Sequence, residues 1–356
     1  MLILNTASID AQLLKDTATL DIVRKDIDYI YNLQFTEARD LYSKIIKVYP
    51  EHPVIYLLRG MITYWENFPL LGTSASRASF EADLRECIKI SEKKSKPAHE
   101  AEYLLGNLCA RGFLLQFYSD NDLVMQVIPL ATSTYKYLMR SFDFTLVCPD
   151  LYYFTGVYNY YRDAYPKAYP AYKPLMLVFP PGNMQTGINQ LNFSAKNAVV
   201  LRAESSYLLT FIYVNFENDY FQAYNYTRSL HENYPDNPQF FAAYLKNLLL
   251  LKKYNDVEKL IEALPAVSIN KYFHAQILIF KGILQEKKYQ DNNAAAQYYR
   301  NGISDITLYG DYGNEYAAYG YFGLSRISEA NGDKNASQKY RKEALKLADF
   351  KKINFD

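Results

Sequence analysis

Residues 217–238 read ENDYFQAYNYTRSLHENYPDNP, and the spacing within them decides the fold. Ala223 is followed by Thr227 at four residues, Leu230 at seven and Pro235 at twelve. Such intervals put small and bulky contacts on one face of a helix, and the proline ends it. Residues 35–53, FTEARDLYSKIIKVYPEHP, repeat the pattern with Ala38, Tyr42, Ile45 and Pro50. A small residue that admits close helix approach, followed by a terminating proline, marks the second helix of a helical hairpin.

Extending this register in both directions predicts about eight hairpins. First helices should begin near Leu20, Pro53, Pro97, Asp150, Glu204, Pro238, Tyr272 and Glu315. Second helices should begin near Thr36, Ser76, Asp122, Asn183, Tyr220, Asn255, Asn292 and Lys334. Gly60, Gly106, Gly156, Gly282 and Gly323 recur at one first-helix position. A helical glycine costs about 1 kcal/mol relative to alanine, so recurrence at one position points to tight helix contact. Segment 238–271 is a copy without the small residue, with Val257, Ile261 and Leu264 at the contact positions. In the last unit, Asn331-Gly332-Asp333 is the turn, and Ala336, Tyr340 and Ala344 share a face.

The pattern resembles the tetratricopeptide repeat family, whose unit is about 34 residues. Tyr29, nine residues before Ala38, also fits the family's first helix. Residues 180–191 (PPGNMQTGINQL), 203–213 and 234–240 are further similar to large degenerate tetratricopeptide proteins of the repeat-39 type. The resemblance implies an all-α superhelix over residues 19–347. Residues 1–18 precede it and 348–356 form a tail. Extra residues at 66–75, 114–121 and 162–182 interrupt the copies. The last of these holds Pro166, Pro170, Pro174, Pro180 and Pro181 and should not form a regular helix. Insertions in repeat arrays collect on one face, often the binding face.

Composition narrows the function classes. With 39 basic and 38 acidic residues, the chain lacks the basic excess of a nucleic-acid surface. No apolar run is long enough to cross a bilayer. Met1–Gln12 has a short apolar run followed by small residues, as in a secretory leader missing its basic end. On that reading the protein is periplasmic or exported; on the alternative, an ordinary N-terminus, it is cytoplasmic. Cys87, Cys109 and Cys148 form no CxxC pair and read as small core residues.

No phosphate-binding loop, dinucleotide fingerprint, nucleophile elbow or zinc-protease motif occurs, so no cofactor and no catalytic constellation are expected. His99 and Glu102, three apart, could share a face but lack further ligands nearby, so no metal is expected. His52, at a repeat junction, reads as a surface residue.

The 36 tyrosines are the compositional oddity, eight of them between residues 152 and 172. A ring with a polar tip suits helix interfaces and binding surfaces alike. Groove-facing positions carried over from the family resemblance give Tyr64, Trp65, Tyr103, Asn107, Arg111 and Asp150. They also give Tyr153, Tyr160, Tyr161, Asn215 and Lys246. Tyr152 should point into its hairpin interface. The tyrosine-rich stretch is either an aromatic platform or rings buried by the proline-rich loop. The expected role is a non-catalytic scaffold for a protein or peptide partner. The alternative is a carbohydrate or small-molecule binder of an exported system.

Overall fold

The computed structural model describes residues 12–93, 99–264, 270–348 and 355. The leader-like residues up to 11, the predicted helix start at Pro97 and nearly all of the 348–356 tail lie outside these. The described residues form 17 α-helices and no strand, arranged as an all-helical solenoid of eight hairpins. The hairpins are α1 (Thr17–Tyr31) with α2 (Phe35–Val48), α3 (Pro53–Glu66) with α4 (Arg77–Lys93), and α5 (Glu100–Asp120) with α6 (Val124–Ser141). Next come α7 (Leu151–Ala168) with α9 (Met184–Asn197), α10 (Arg202–Ile212) with α11 (Tyr220–Asn233), and α12 (Pro238–Leu250) with α13 (Tyr254–Glu262). The last two are α14 (Lys271–Leu284) with α15 (Asn292–Ile306), and α16 (Asp311–Ala330) with α17 (Lys334–Leu347). A four-residue helix, α8 (Lys173–Met176), lies in the proline-rich insertion.

The residues that define the repeat are where their spacing places them. Ala38, Ile45, Ala223, Thr227 and Val257 are fully buried between helices. The recurrent glycines mark close approaches, with one exception. A Cβ on Gly156 would lie 2.8 Å from the Leu191 side chain, and one on Gly282 2.6 Å from the Tyr299 ring. At Gly106 the nearest atom would be 3.5 Å away, an ordinary contact, so tight packing does not explain that glycine.

The extra residues expected at 114–121 lengthen a helix: α5 runs on to Asp120, and Phe117 and Tyr118 are buried in its last turns. One expectation about an interruption is corrected. In the insertion, α7 continues through Pro166 to Ala168 before the chain breaks into short turns. Beyond that point Leu177 and Val178 are 83% and 75% exposed. The insertion therefore returns along the outside of α7, where Tyr158 donates to the Pro180 carbonyl at 2.7 Å and Arg162 to that of Phe179 at 3.2 Å.

The superhelix curls until distant hairpins touch. Asn237 accepts from the amides of Gln239 and Phe240 at the start of α12 and donates to the Tyr31 carbonyl at 2.7 Å. The Tyr31 ring meets those of Trp65, Tyr234 and Phe240, and Arg202 pairs with Asp28. Farther round, Tyr312 at the start of α16 donates to the Leu70 carbonyl at 3.1 Å, and its ring lies edge-on to Phe68.

Candidate functional site

Seven of the eight first helices, α3 to α16, face one part-enclosed cavity of about 750 Å³. The stack curves with its first helices on the inner rim. The wall is largely aromatic. Trp65 comes from α3, Tyr153 and Tyr161 from α7, Tyr207 from α10, Tyr272 from α14 and Tyr316 from α16. Trp65 stacks on Phe68 with centroids 5.2 Å apart, and Tyr161 stands edge-on to Phe216 at 5.5 Å. Polar tips are held as well: Gln239 donates to the Tyr207 hydroxyl at 2.9 Å, and the Tyr272 hydroxyl donates to the Tyr312 carbonyl at 2.7 Å. Rings fixed in this way present rigid faces.

Four carboxylates share the wall, Asp120, Glu204, Asp311 and Glu315, and no Lys, Arg or His does among the described residues. Each carboxylate has a partner. Glu204 accepts from the Tyr31 hydroxyl at 2.8 Å, and Asp120 from Gln116 at 2.6 Å. Asp311 accepts from Asn314 at 2.8 Å. Glu315 is paired with Lys246 at 2.9 Å and accepts from the Tyr319 hydroxyl. Burial pushes Asp120 up to about 7; the Gln116 hydrogen bond opposes the rise and the charge of Asp311 adds to it. Burial also raises Glu204, partly offset by the Tyr31 bond. Among the described residues no three His, Cys, Asp or Glu side chains are grouped to hold a metal ion.

Of the sequence-predicted groove residues, the structure brings Tyr64, Trp65, Tyr153 and Tyr161 together on this wall. Lys246 stands behind it, holding Glu315. The others lie elsewhere for clear reasons. Tyr160 is fully buried against α9 and α10, its hydroxyl donating to Glu217 at 2.5 Å. Arg111 turns toward α4 and α6, donating to Glu92 and Ser133 at 2.9 Å each and lying over the Tyr137 ring. Asn107 is buried beside it and accepts its Nε at 2.8 Å. Asp150 is a buried cap whose carboxylate accepts from the amides of Val199, Val200 and Leu201. Asn215 sits in a π turn after α10 and donates to the Phe211 carbonyl. Tyr103 packs against the rings of His52 and His99.

The tyrosine-rich stretch thus divides between the two expectations. Tyr153 and Tyr161 face the cavity, Tyr160 is core, and no residue between 162 and 182 is part of the wall. Tyr152 meets Phe193 of α9, as its register requires. His52, expected at the surface, is buried: its Nδ1 accepts the Val54 amide, and its ring faces Glu102. Glu102 also contacts His99 at 2.6 Å and accepts the Leu14 amide, which ties the chain's start to α5.

The acids and the rings of α10, α14 and α16 were missed by register alone. Asp311 opens a helix, where an acid is favoured by the helix dipole, and Asp120 closes one, so neither stood out. Comparison with known proteins finds no matching family model and no matching curated protein.

Proposed function

We propose that this chain is a tetratricopeptide-type solenoid acting as a non-catalytic binding protein, with a compact ligand held in the channel between its first helices. Gly112 is the observation that carries this reading. It lies inside the 21-residue helix α5 and lines the cavity. A Cβ there would meet nothing within 4 Å. A glycine inside a helix costs about 1 kcal/mol, and no close helix contact accounts for this one. The space it leaves belongs to the cavity.

Size and closure support a compact ligand over an extended peptide. The volume falls within the range of about 300–1,000 Å³ common for small-molecule sites. The contacts of Phe68 and Leu70 with Tyr312 close the curve that a long peptide would thread. Trp65 Nε1 is buried with no acceptor, a group that a bound ligand could satisfy.

Trp65 is the only tryptophan, so its emission reports on the cavity directly. Titration with a neutral apolar fluorophore, N-phenyl-1-naphthylamine, should show energy transfer from Trp65. Gly112→Phe should abolish the transfer while leaving the helical circular dichroism intact. Equal transfer in both proteins would refute the reading. A scaffold for a protein partner is the second reading, favoured by Val124, Met125 and Ile128 on α6, which are 51%, 82% and 60% exposed. Partner capture undiminished by Gly112→Phe would point that way.

A further inference from the structure

We infer that the proline-rich insertion between α7 and α9 is a peripheral anchor, seating its aliphatic tip in a bilayer that carries anionic headgroups. Leu175, Leu177 and Val178 are 54%, 83% and 75% exposed. Large aliphatic side chains gathered so closely in one segment form a patch, not scattered surface residues. Beside them Tyr169 and Tyr172 are 37% and 43% exposed. Tyrosines flanking an aliphatic tip suit a membrane interface, where the ring lies at headgroup depth and its hydroxyl stays wet. Charge names the headgroups. From Ala164 to Ala203 the sequence has no Asp or Glu, and it carries Lys167, Lys173, Lys196 and Arg202. Arg202 is paired with Asp28, whereas Lys167 and Lys173 are exposed next to the tip tyrosines. In a chain of 39 basic and 38 acidic residues, this acid-free run is a local departure that the overall balance hides. Lysines placed in this way are drawn to an anionic leaflet.

The insertion is built to hold its tip outward. At the base, Arg162 and Tyr158 hold the carbonyls of Phe179 and Pro180, and the Phe179 ring stands edge-on to Tyr135 of α6 at 5.2 Å. Nearer the tip, the Tyr165 ring meets those of Tyr169 and Tyr172 at 4.8 and 5.2 Å. An insertion that served only to cover α7 would turn its aliphatic side chains inward, yet the adjacent Leu177 and Val178 both face solvent. Pro170, Pro174 and Pro180 carry no backbone N–H, so this segment has fewer donors to leave unsatisfied at the edge of a bilayer. The tip is far too short to cross a membrane and, with its lysines, lies in the interface. A fluid surface accepts such a tip without the matched pocket that a protein partner must supply. No residue between 162 and 182 belongs to the channel wall, so the anchor and the channel ligand stand or fall separately.

The test is cosedimentation of the full chain with sucrose-loaded vesicles of phosphatidylcholine, with and without phosphatidylglycerol, at about 0.15 M salt. The protein should pellet with the anionic vesicles and far more weakly with the neutral ones. Leu177→Ser combined with Val178→Ser should weaken binding to anionic vesicles about tenfold or more. Lys167→Gln combined with Lys173→Gln should weaken it by about fivefold for each lysine. All four side chains are exposed, so the helical circular dichroism should be unchanged in both double variants. Cys87, Cys109 and Cys148 are buried, so Val178→Cys takes a nitrobenzoxadiazole label selectively, and its emission should shift to the blue on anionic vesicles. Failure to pellet with anionic vesicles overturns the inference and leaves the tip to a protein partner. Pelleting unaltered in both double variants overturns it as well, as does a label that stays in water while the protein pellets.

Discussion

Tyr160 and Tyr161 are sequence neighbours with opposite fates. Tyr160 has no exposure, meets the edge of Tyr161, and bonds Glu217 through its hydroxyl. A Cβ on Gly187 would lie 2.6 Å from the Tyr160 amide nitrogen, so α7 and α9 nearly touch there. Removing this ring leaves a cavity the helices cannot close. Tyr160→Ala should cost about 3–5 kcal/mol of stability, read by urea unfolding. Tyr160→Phe should cost about 0.5–1.5 kcal/mol, the net worth of one hydrogen bond. Tyr161→Ala should leave stability far less affected and instead alter ligand response. A small loss for Tyr160→Ala would mean the ring is not a core element. The register could not separate these two residues, because adjacent positions on a helix differ by about 100° and the curvature of the stack decides which one meets the channel.

The hairpins share a turn that their sequences hide. In six of the eight, one residue after the first helix has positive φ: Leu33, Asp122, Asn218, Lys252, Gln290 and Gly332. The next amide reaches back to the helix, as from Gln34 to the Tyr29 carbonyl, Leu123 to Tyr118 and Lys253 to Leu248. This is the left-handed cap that usually selects glycine. The two hairpins without it are those joined by residues 67–76 and 169–183, where longer connections replace the tight turn. Only Asn331-Gly332-Asp333 was legible as a turn. At Leu33, Lys252 and Gln290 the conformation falls on residues that disfavour it, whereas Asp122 and Asn218 tolerate it. Lys252 is exposed, so Lys252→Gly removes the steric penalty without touching the core. Stability should rise by about 0.5–1 kcal/mol, seen as a higher urea midpoint. A fall would show that the lysine side chain contributes more than its backbone costs.

A repeat stack in which each unit meets only its neighbours behaves as a one-dimensional chain. This molecule departs from that limit. Tyr31 and Asn32 meet residues 234–240, and Leu70 meets Tyr312, across separations of up to 242 positions. Asn237 is both a helix cap and a clasp on the first hairpin. Asn237→Ser keeps a capping oxygen and loses the bond to Tyr31. Amide exchange in α1 and α2 should accelerate in that variant, while α14 to α17 stay protected. Uniform acceleration throughout would mean the molecule unfolds as one unit.

Residue spacing by itself determined that the chain is an all-helical stack of eight hairpins. The local signals are sufficient there: alternating small and bulky contacts at helical intervals, with proline ending the helices. Four groove residues, Tyr64, Trp65, Tyr153 and Tyr161, were also readable, because they hold the inner-rim position in their repeats. Tertiary structure alone decided that the stack closes on itself, that Tyr160, Arg111 and Asp150 turn away from the channel, and that Asp120, Glu204, Asp311 and Glu315 meet within it. The small rotations between successive hairpins add up over the whole array. No single repeat encodes the sum, so side chains more than a hundred residues apart come to share one space that no local pattern announces.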